Sequence, residues 1–244
     1  MTSLFLDARL DSGDCHIWWA DPRLVSDGYL ELLDAGERSR YAGFRAGADR
    51  RRFLAGRALL RRVAAGYLGL PPRQVPLTAR CPDCSVPHGR PELPGSGIEV
   101  SVAHSGDRVA VAATRAGPVG VDVELIDPLL GVDDLMRGVL APEERQFPST
   151  GTPAGFYRMW TRKEAVLKAT GAGLRVPLSD VAVSSPVACP RLIRLAGVPA
   201  RADDFVLADL EVAAGYAAAV AVMSRAQVRF VAREGGPLIE SGDF

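Results

Sequence analysis

The stretch from Ile98 to Leu125 limits the possible folds more than any other. It holds three β-like runs, IEVSVAH, RVAVAAT and VGVDVEL, separated only by the turns SGD and RAGP. A short strand, HIWWA, and a helix precede it. A second helix and strand candidates at 180–184, 205–212 and 215–222 follow. The order strand, helix, strands therefore occurs twice, before and after about residue 116, without sequence identity between the halves. Runs of strands with segregated helices argue for an α+β fold in two similar lobes. The expected division is 1–116 and 117–230, joined by RAGPVG, with 231–244 as a C-terminal tail.

Helical periodicity supplies the rest of the outline. Residues 22–41 read as a helix with Leu24, Leu30 and Leu33 on its buried face. Residues 49–69 read as a stronger one: Asp49 can cap it, Phe53, Leu60, Val63, Ala64 and Tyr67 share a face, and Pro71-Pro72 ends it. A Pro- and Gly-rich loop then runs to about Gly97. Short helices are expected within 128–147, where Pro142 suits a first turn, and a longer helix over Phe156–Thr170.

Composition removes several classes of function. With 244 residues, 48% of them hydrophobic, the chain can bury a core without disulfides or metal staples. Its 29 basic and 29 acidic residues cancel, which is not the footprint of a nucleic-acid-binding domain. MTSLFLDARLDSGD lacks the basic and apolar regions of a signal peptide. The apolar run YAAAVAVM is far short of the roughly 20 residues of a membrane span. A soluble, cytoplasmic monomer that engages neither nucleic acid nor membrane is expected. Of the four cysteines, Cys81 and Cys84 form a C-x2-C pair followed by His88. Structural zinc normally takes four ligands and no second pair stands at the usual spacing; Cys15 or Cys189 could supply the fourth, so zinc stays open beside the expected state of reduced cysteines in a loop.

One helix carries an anomaly. FYRMWTRKEAVLKATGAGL contains the chain's only lysines, Lys163 and Lys168; every other basic residue is arginine. On a helix, Phe156, Met159, Trp160, Val166 and Leu167 form the buried arc, with Glu164 and Lys168 beside it, four residues apart. Lys163 falls inside the arc, where an unpaired charge is costly, so it must meet a carboxylate or an anion or reach solvent. An Arg serves as well as a Lys in a surface pair. Lysine differs in being a compact donor whose pKa falls on burial, which points to chemistry.

Two further sets of residues stand out. In GVDVEL, Asp122 and Glu124 share one strand face, with Val121, Val123 and Leu125 on the other. Like charges so placed call for a cation between them, and with Glu164 they make hard oxygen ligands suited to Mg²⁺. In SVAHSGD, His104 ends a strand and Ser105 and Gly106 follow, a setting in which backbone N–H groups can hold phosphate.

Together these segments resemble the 4′-phosphopantetheinyl transferases of the two-lobed type that activates surfactin synthetase. GVDVE is similar to the family's G-[IV]-D-[IV]-E, the lysine helix to its W-x-x-K-E-A/S-x-x-K, VAHSGD to its S-H-S-G turn, and HGRPEL to its G-K-P segment. The similarity spans about residues 49–184. It implies two α+β lobes related by a pseudo-twofold axis, with the active site between them. The implied reaction moves phosphopantetheine from coenzyme A to a serine of an acyl or peptidyl carrier protein and releases 3′,5′-ADP.

Carried over by position, Asp122, Glu124 and Glu164 would surround Mg²⁺ and the pyrophosphate, with Glu164 or Glu124 taking the serine's proton. Lys168 would lie at the α-phosphate and would also be catalytic. His104, with Ser105 beside it, would meet the 3′-phosphate, and Arg52 and Arg90 would be cationic contacts of coenzyme A. Arg90 stands where the family has Lys, and Ala103 where it has the first Ser of S-H-S-G. Carrier proteins present an acidic helix, for which Met136, Arg137, Arg145 and Phe147 are expected to form the complementary surface. Two alternatives use the same residues. A metal-dependent nuclease or phosphodiesterase needs Lys two residues after the strand Glu, where this chain has Ile126. A catalytically inactive coenzyme A or carrier-binding module would lack an acidic ligand, and all three acids are present.

Overall fold

The computed structural model describes residues 9–79, 89–129 and 131–240. Cys81, Cys84 and His88 lie outside the described residues. In chain order the elements are β1 (Asp14–Ala20), α1 (Ala35–Gly43), α2 (Gly47–Leu68), β2 (Glu99–Ser105), β3 (Arg108–Thr114), β4 (Val119–Leu125), α3 (Val132–Val139) and α4 (Pro153–Thr170). They continue with β5 (Val181–Val183), β6 (Leu192–Leu195), β7 (Phe205–Asp209), β8 (Tyr216–Met223), β9 (Arg229–Glu234) and α5 (Gly236–Glu240). The fold is α+β. It divides into two compact units, one running to Arg115 and resuming at Phe230, the other running from Ala116 to Arg229.

The first unit is a four-stranded sheet in the order β2-β3-β1-β9 with α2 packed on it. β3 pairs antiparallel with both neighbours, so Val111 lies opposite Val102 on one side and Trp18 on the other. Alternation along these strands sends Val100, Val109, Val111 and Trp18 into one core with Phe53, Leu54, Leu59, Leu60 and Val63 of α2. The helix ends where Gly69 turns left-handed at φ 66°, and its N–H bonds Ala65 O. Asp49 is not its cap. The helix begins two residues earlier, and Asp49 instead pairs with Arg52.

Residues 22–41 do not form the single helix that their leucine spacing suggests. They break into 3-10 turns at Pro22–Leu24 and Asp27–Leu32, followed by α1. The cause is local: the side chains of Asp21, Ser26 and Asp34 each accept a backbone N–H and start a new turn. The Asp34 cap is completed by Glu37, which also takes Arg57 and Arg61 of α2 in a buried ion-pair cluster. Leu24 is 41% exposed, Leu33 is buried as expected, and Tyr29 joins the core, donating to Leu238 O.

Residues 231–244, read from sequence as a tail, begin inside a strand. β9 takes the sheet edge beside β1, and α5 places Leu238 and Ile239 in the core of the first unit. β9 mixes half-buried and exposed positions through RFVARE with no fully buried one, and its partner strand lies more than 200 residues away, so neither run length nor neighbouring sequence marks it.

In the second unit β8 is central to a three-stranded sheet, β4-β8-β7, while β5 and β6 pair separately. α4 packs on β4 and β8, and its Met159, Ala165, Val166, Leu167 and Ala169 join Ala219 and Ala221 in the core. This core holds two buried cations. Arg162 is fully buried; Nε and Nη2 bond both oxygens of Asp209, at 2.7 and 2.6 Å, and the remaining donors meet the carbonyls of Ser184, Ser185 and Ala188. Lys163 faces inward, as its place in the helical arc requires, and meets Glu144.

Candidate functional site

Four of the residues singled out from the sequence lie in the second unit, on two adjoining elements. β4 presents Asp122 and Glu124, and α4, packed against it, presents Glu164 and Lys168 one turn apart. Strand period places Asp122 opposite Ala219 of β8 and Glu124 opposite Ala217, so small side chains flank both acids. Val121 and Val123 are buried on the alternate face, whereas Leu125, expected to join them, is half exposed at the strand end.

Asp122 is the best defined of the group. It is 5% exposed, and its Oδ1 accepts from Lys168 Nζ at 2.7 Å. The same ammonium donates to Val121 O at 3.1 Å. Oδ2 is buried and has no hydrogen-bond partner. Burial pushes the Asp122 carboxyl upward, opposed by the attraction and hydrogen bond of Lys168 and by the nearby backbone N–H of Val123. Glu164 is half-buried; burial first, then the charge of Asp122, raise its pKa above the ordinary carboxylate value, and Lys168 pulls the other way. The two carboxyls thus sense one another and share one lysine.

No three His, Cys, Asp or Glu side chains among the described residues form a ready-made metal cluster. The donor set nevertheless suits a hard divalent ion. Mg²⁺ takes one or two carboxylates and completes its shell with waters and phosphate oxygens, so it requires no preassembled protein cage. The buried Oδ2 of Asp122, which lacks a hydrogen-bond partner, is the oxygen such an ion would use.

Lys163 takes no part in this group. Its Nζ lies 2.5 Å from Glu144 Oε2 and donates to Val139 O at 2.7 Å and Leu178 O at 3.0 Å, with both side chains fully buried. Glu144 also accepts the amides of Ala141 and Val183. The chain's two lysines therefore divide. Lys163 ties α4 to the turn after α3, and Lys168 faces the acids. Burial lowers the pKa of Lys163, against the pull of Glu144.

The residues of the proposed coenzyme A set lie in the first unit. His104 and Ser105 end β2, and a two-residue turn leads to Arg108, with Gly106 at φ 53° supplying the left-handed residue such a hairpin needs. His104 is exposed. Arg52 donates to Gly106 O at 3.2 Å, so it braces the turn as well as offering charge beside it. Arg90 pairs with Glu99 at the start of β2.

A groove in the second unit brings Met136, Arg137, Arg145 and Phe147 together with Leu140 and Thr150 around about 430 Å³. Among the described residues no helix is long and apolar enough to cross a membrane.

Comparisons with known proteins converge on one family. The sequence profile of the 4′-phosphopantetheinyl transferase superfamily matches residues 118–221, a span that contains Asp122, Glu124, Glu164 and Lys168. The chain is 31% identical over 174 residues to the 4′-phosphopantetheinyl transferase HetI of Nostoc sp., covering 67% of this chain and 71% of that one. It is 29% identical over 186 residues to the 4′-phosphopantetheinyl transferase of Bacillus subtilis, with 74% of each chain covered. A phosphopantetheinyl transferase of Thraustochytrium sp. is 33% identical over 173 residues, 64% of this chain and 58% of that one.

Proposed function

The chain belongs to the 4′-phosphopantetheinyl transferase superfamily, and on that premise we propose that it moves phosphopantetheine from coenzyme A to a serine of an apo acyl or peptidyl carrier protein, with Mg²⁺ as cofactor. The observation that supports the metal requirement is the buried, unpartnered Oδ2 of Asp122 beside a second carboxyl, Glu164. Asp122 and Glu164, with Glu124 on the same strand face, would hold the ion. When bound, Mg²⁺ supplies charge neutralisation to the pyrophosphate that is being divided.

The chain's own residues account for the remaining work. Phosphoryl transfer is mostly positioning and charge stabilisation. The carrier's serine oxygen attacks the β-phosphorus, the bond to the bridging oxygen breaks, and 3′,5′-ADP leaves with that oxygen. Glu164 accepts the serine proton, a role suited to a carboxyl held above its ordinary range. Lys168, fixed by Asp122 and Val121 O, presents an ammonium to the leaving phosphate. His104, Ser105, Arg52 and Arg90 are assigned to coenzyme A. The groove of Met136, Leu140 and Phe147 between Arg137 and Arg145 suits an acidic helix with apolar side chains, the surface a carrier offers. We place the reaction in the cytoplasm, where coenzyme A is available.

The test is intact-mass measurement of an apo-carrier incubated with the protein, coenzyme A and Mg²⁺. The reading expects the carrier to gain one phosphopantetheine, and expects a chelator or Glu164→Ala to abolish the gain. An unchanged carrier mass across fatty-acid, polyketide and peptide carriers would overturn it.

A further inference from the structure

α4 lies unusually close to β4, and the contact falls on a residue with no side chain. A β-carbon built on Gly120 would stand 1.9 Å from Ala165 O, 2.6 Å from Ala169 N and 2.8 Å from Lys168 Cβ. Gly120 does not occupy the left-handed region, so glycine is required here for space and not for its torsion angles. Its neighbour across the sheet is Ala221, and the next pair on that face is Asp122 with Ala219. The helix side of the contact is equally small, with Ala165 and Ala169 both fully buried. The closest atoms are helix backbone, so no rotation of a side chain can relieve a clash.

We propose that Gly120 is a positioning residue for the transfer reaction: it sets the depth at which α4 seats on β4, and so the distance of Glu164 and Lys168 from Asp122. This inference rests on the assignment of those three residues made above. Restoring even a 3.0 Å separation from Ala165 O moves the helix backbone outward by about 1.1 Å. If the side chain keeps its conformation, that displacement lengthens the 2.7 Å Lys168–Asp122 contact to about 3.8 Å, past hydrogen-bonding distance, and a re-extended lysine stem would present its ammonium from a changed position. The displacement equally moves Glu164 relative to the strand acid with which it would share an ion. Val121 O, the second acceptor of Lys168, follows Gly120 directly in the strand, so both bonds of the ammonium are measured from the same stretch of backbone.

The test compares Gly120→Ala with Gly43→Ala, a glycine-to-alanine change in α1 with nothing within 4 Å of the added carbon. For each folded variant, kcat, the KM for coenzyme A and for carrier, and the affinity for Mn²⁺ by electron paramagnetic resonance are measured. A misplacement of this size is expected to lower kcat about 10²-fold. Mn²⁺ affinity should weaken with it, while Gly43→Ala behaves as wild type. Lowered thermal stability with wild-type kcat and wild-type Mn²⁺ affinity would show packing without positioning and overturn the inference. If Gly120→Ala does not fold, Ala221→Val adds bulk at the adjacent position of the same face. Wild-type kcat and Mn²⁺ affinity in that variant overturn the inference as well. Absence of transfer by the wild-type chain itself would instead refute the functional reading on which the inference stands.

Discussion

Replacing Lys163 with methionine removes one ammonium from the core of the second unit and changes little else in volume. Three contacts are lost together: Glu144 Oε2 at 2.5 Å, Val139 O at 2.7 Å and Leu178 O at 3.0 Å. Both partners of the ion pair are 0% exposed, so water cannot replace them. Breaking a buried pair by removing one member typically costs about 3–5 kcal/mol, because the remaining charge is left uncompensated. Glu144 keeps two backbone donors, Ala141 N and Val183 N, both at 2.7 Å, which places the cost at the lower end, about 3 kcal/mol. For a protein of 150–250 residues, the size class of the whole chain, that corresponds to a fall in melting temperature of roughly 6–12 °C. Calorimetry on wild type, Lys163→Met, Glu144→Gln and the double variant measures it. The double variant should recover part of the loss, since an apolar and a neutral partner leave no stranded charge. A loss under about 1 kcal/mol, or strict additivity of the two single changes, would refute a structural role for Lys163.

Three other outcomes are expected. Tyr67→Phe removes a hydroxyl that lies 2.7 Å from His16 Nδ1 and accepts from Trp18 Nε1 at 2.9 Å. Losing the His16 contact and leaving the Trp18 indole N–H unpaired should cost about 1–3 kcal/mol and shift the tryptophan emission, and an unchanged denaturation midpoint would contradict this. Deleting the chain from Arg229 onward removes β9, the Gly235 N–H bond to Trp19 O and the core residues Leu238 and Ile239. The truncated protein should lose the protease resistance of its first unit; retained resistance would show that the returning segment is dispensable. Arg194 holds the Glu143 carboxyl below its ordinary value, so the pair stabilises the native state above the usual carboxylate range and ceases to as pH falls through the lowered pKa. Arg194→Ala should therefore cost at most about 1 kcal/mol at neutral pH, for a half-exposed pair, and the difference from wild type should close in acid. A difference that widened in acid would reverse the assignment.

How much of this was legible in the sequence varies with the distance over which each feature is determined. β2, β3 and β4 could be located to within a residue, because their β-branched runs and short turns carry the signal locally. The inward turn of Lys163 followed from its angle on α4, yet its partner did not, since Glu144 comes from a 3-10 turn whose packing no periodicity encodes. Asp122 and Glu124 were correctly placed on one strand face. The sequence did not show that Asp122 is buried, because that depends on how closely α4 approaches β4 at Gly120. Nothing in the residue pattern of α4 singled out Arg162. It is buried because Asp209 and three carbonyls from a distant loop surround it. The helix expected over 22–41 failed for the opposite reason: three short side-chain caps overrode a regular leucine spacing.

The account turns on the unpartnered oxygen of Asp122. Crystals grown with Mn²⁺ and coenzyme A, measured at the manganese absorption edge, would locate the ion directly. The expected result is an anomalous peak at ligand distance from Asp122 Oδ2 and a Glu164 oxygen, with pyrophosphate oxygens completing the shell. A peak that touches neither carboxyl, with coenzyme A bound in the same crystal, would contradict the account.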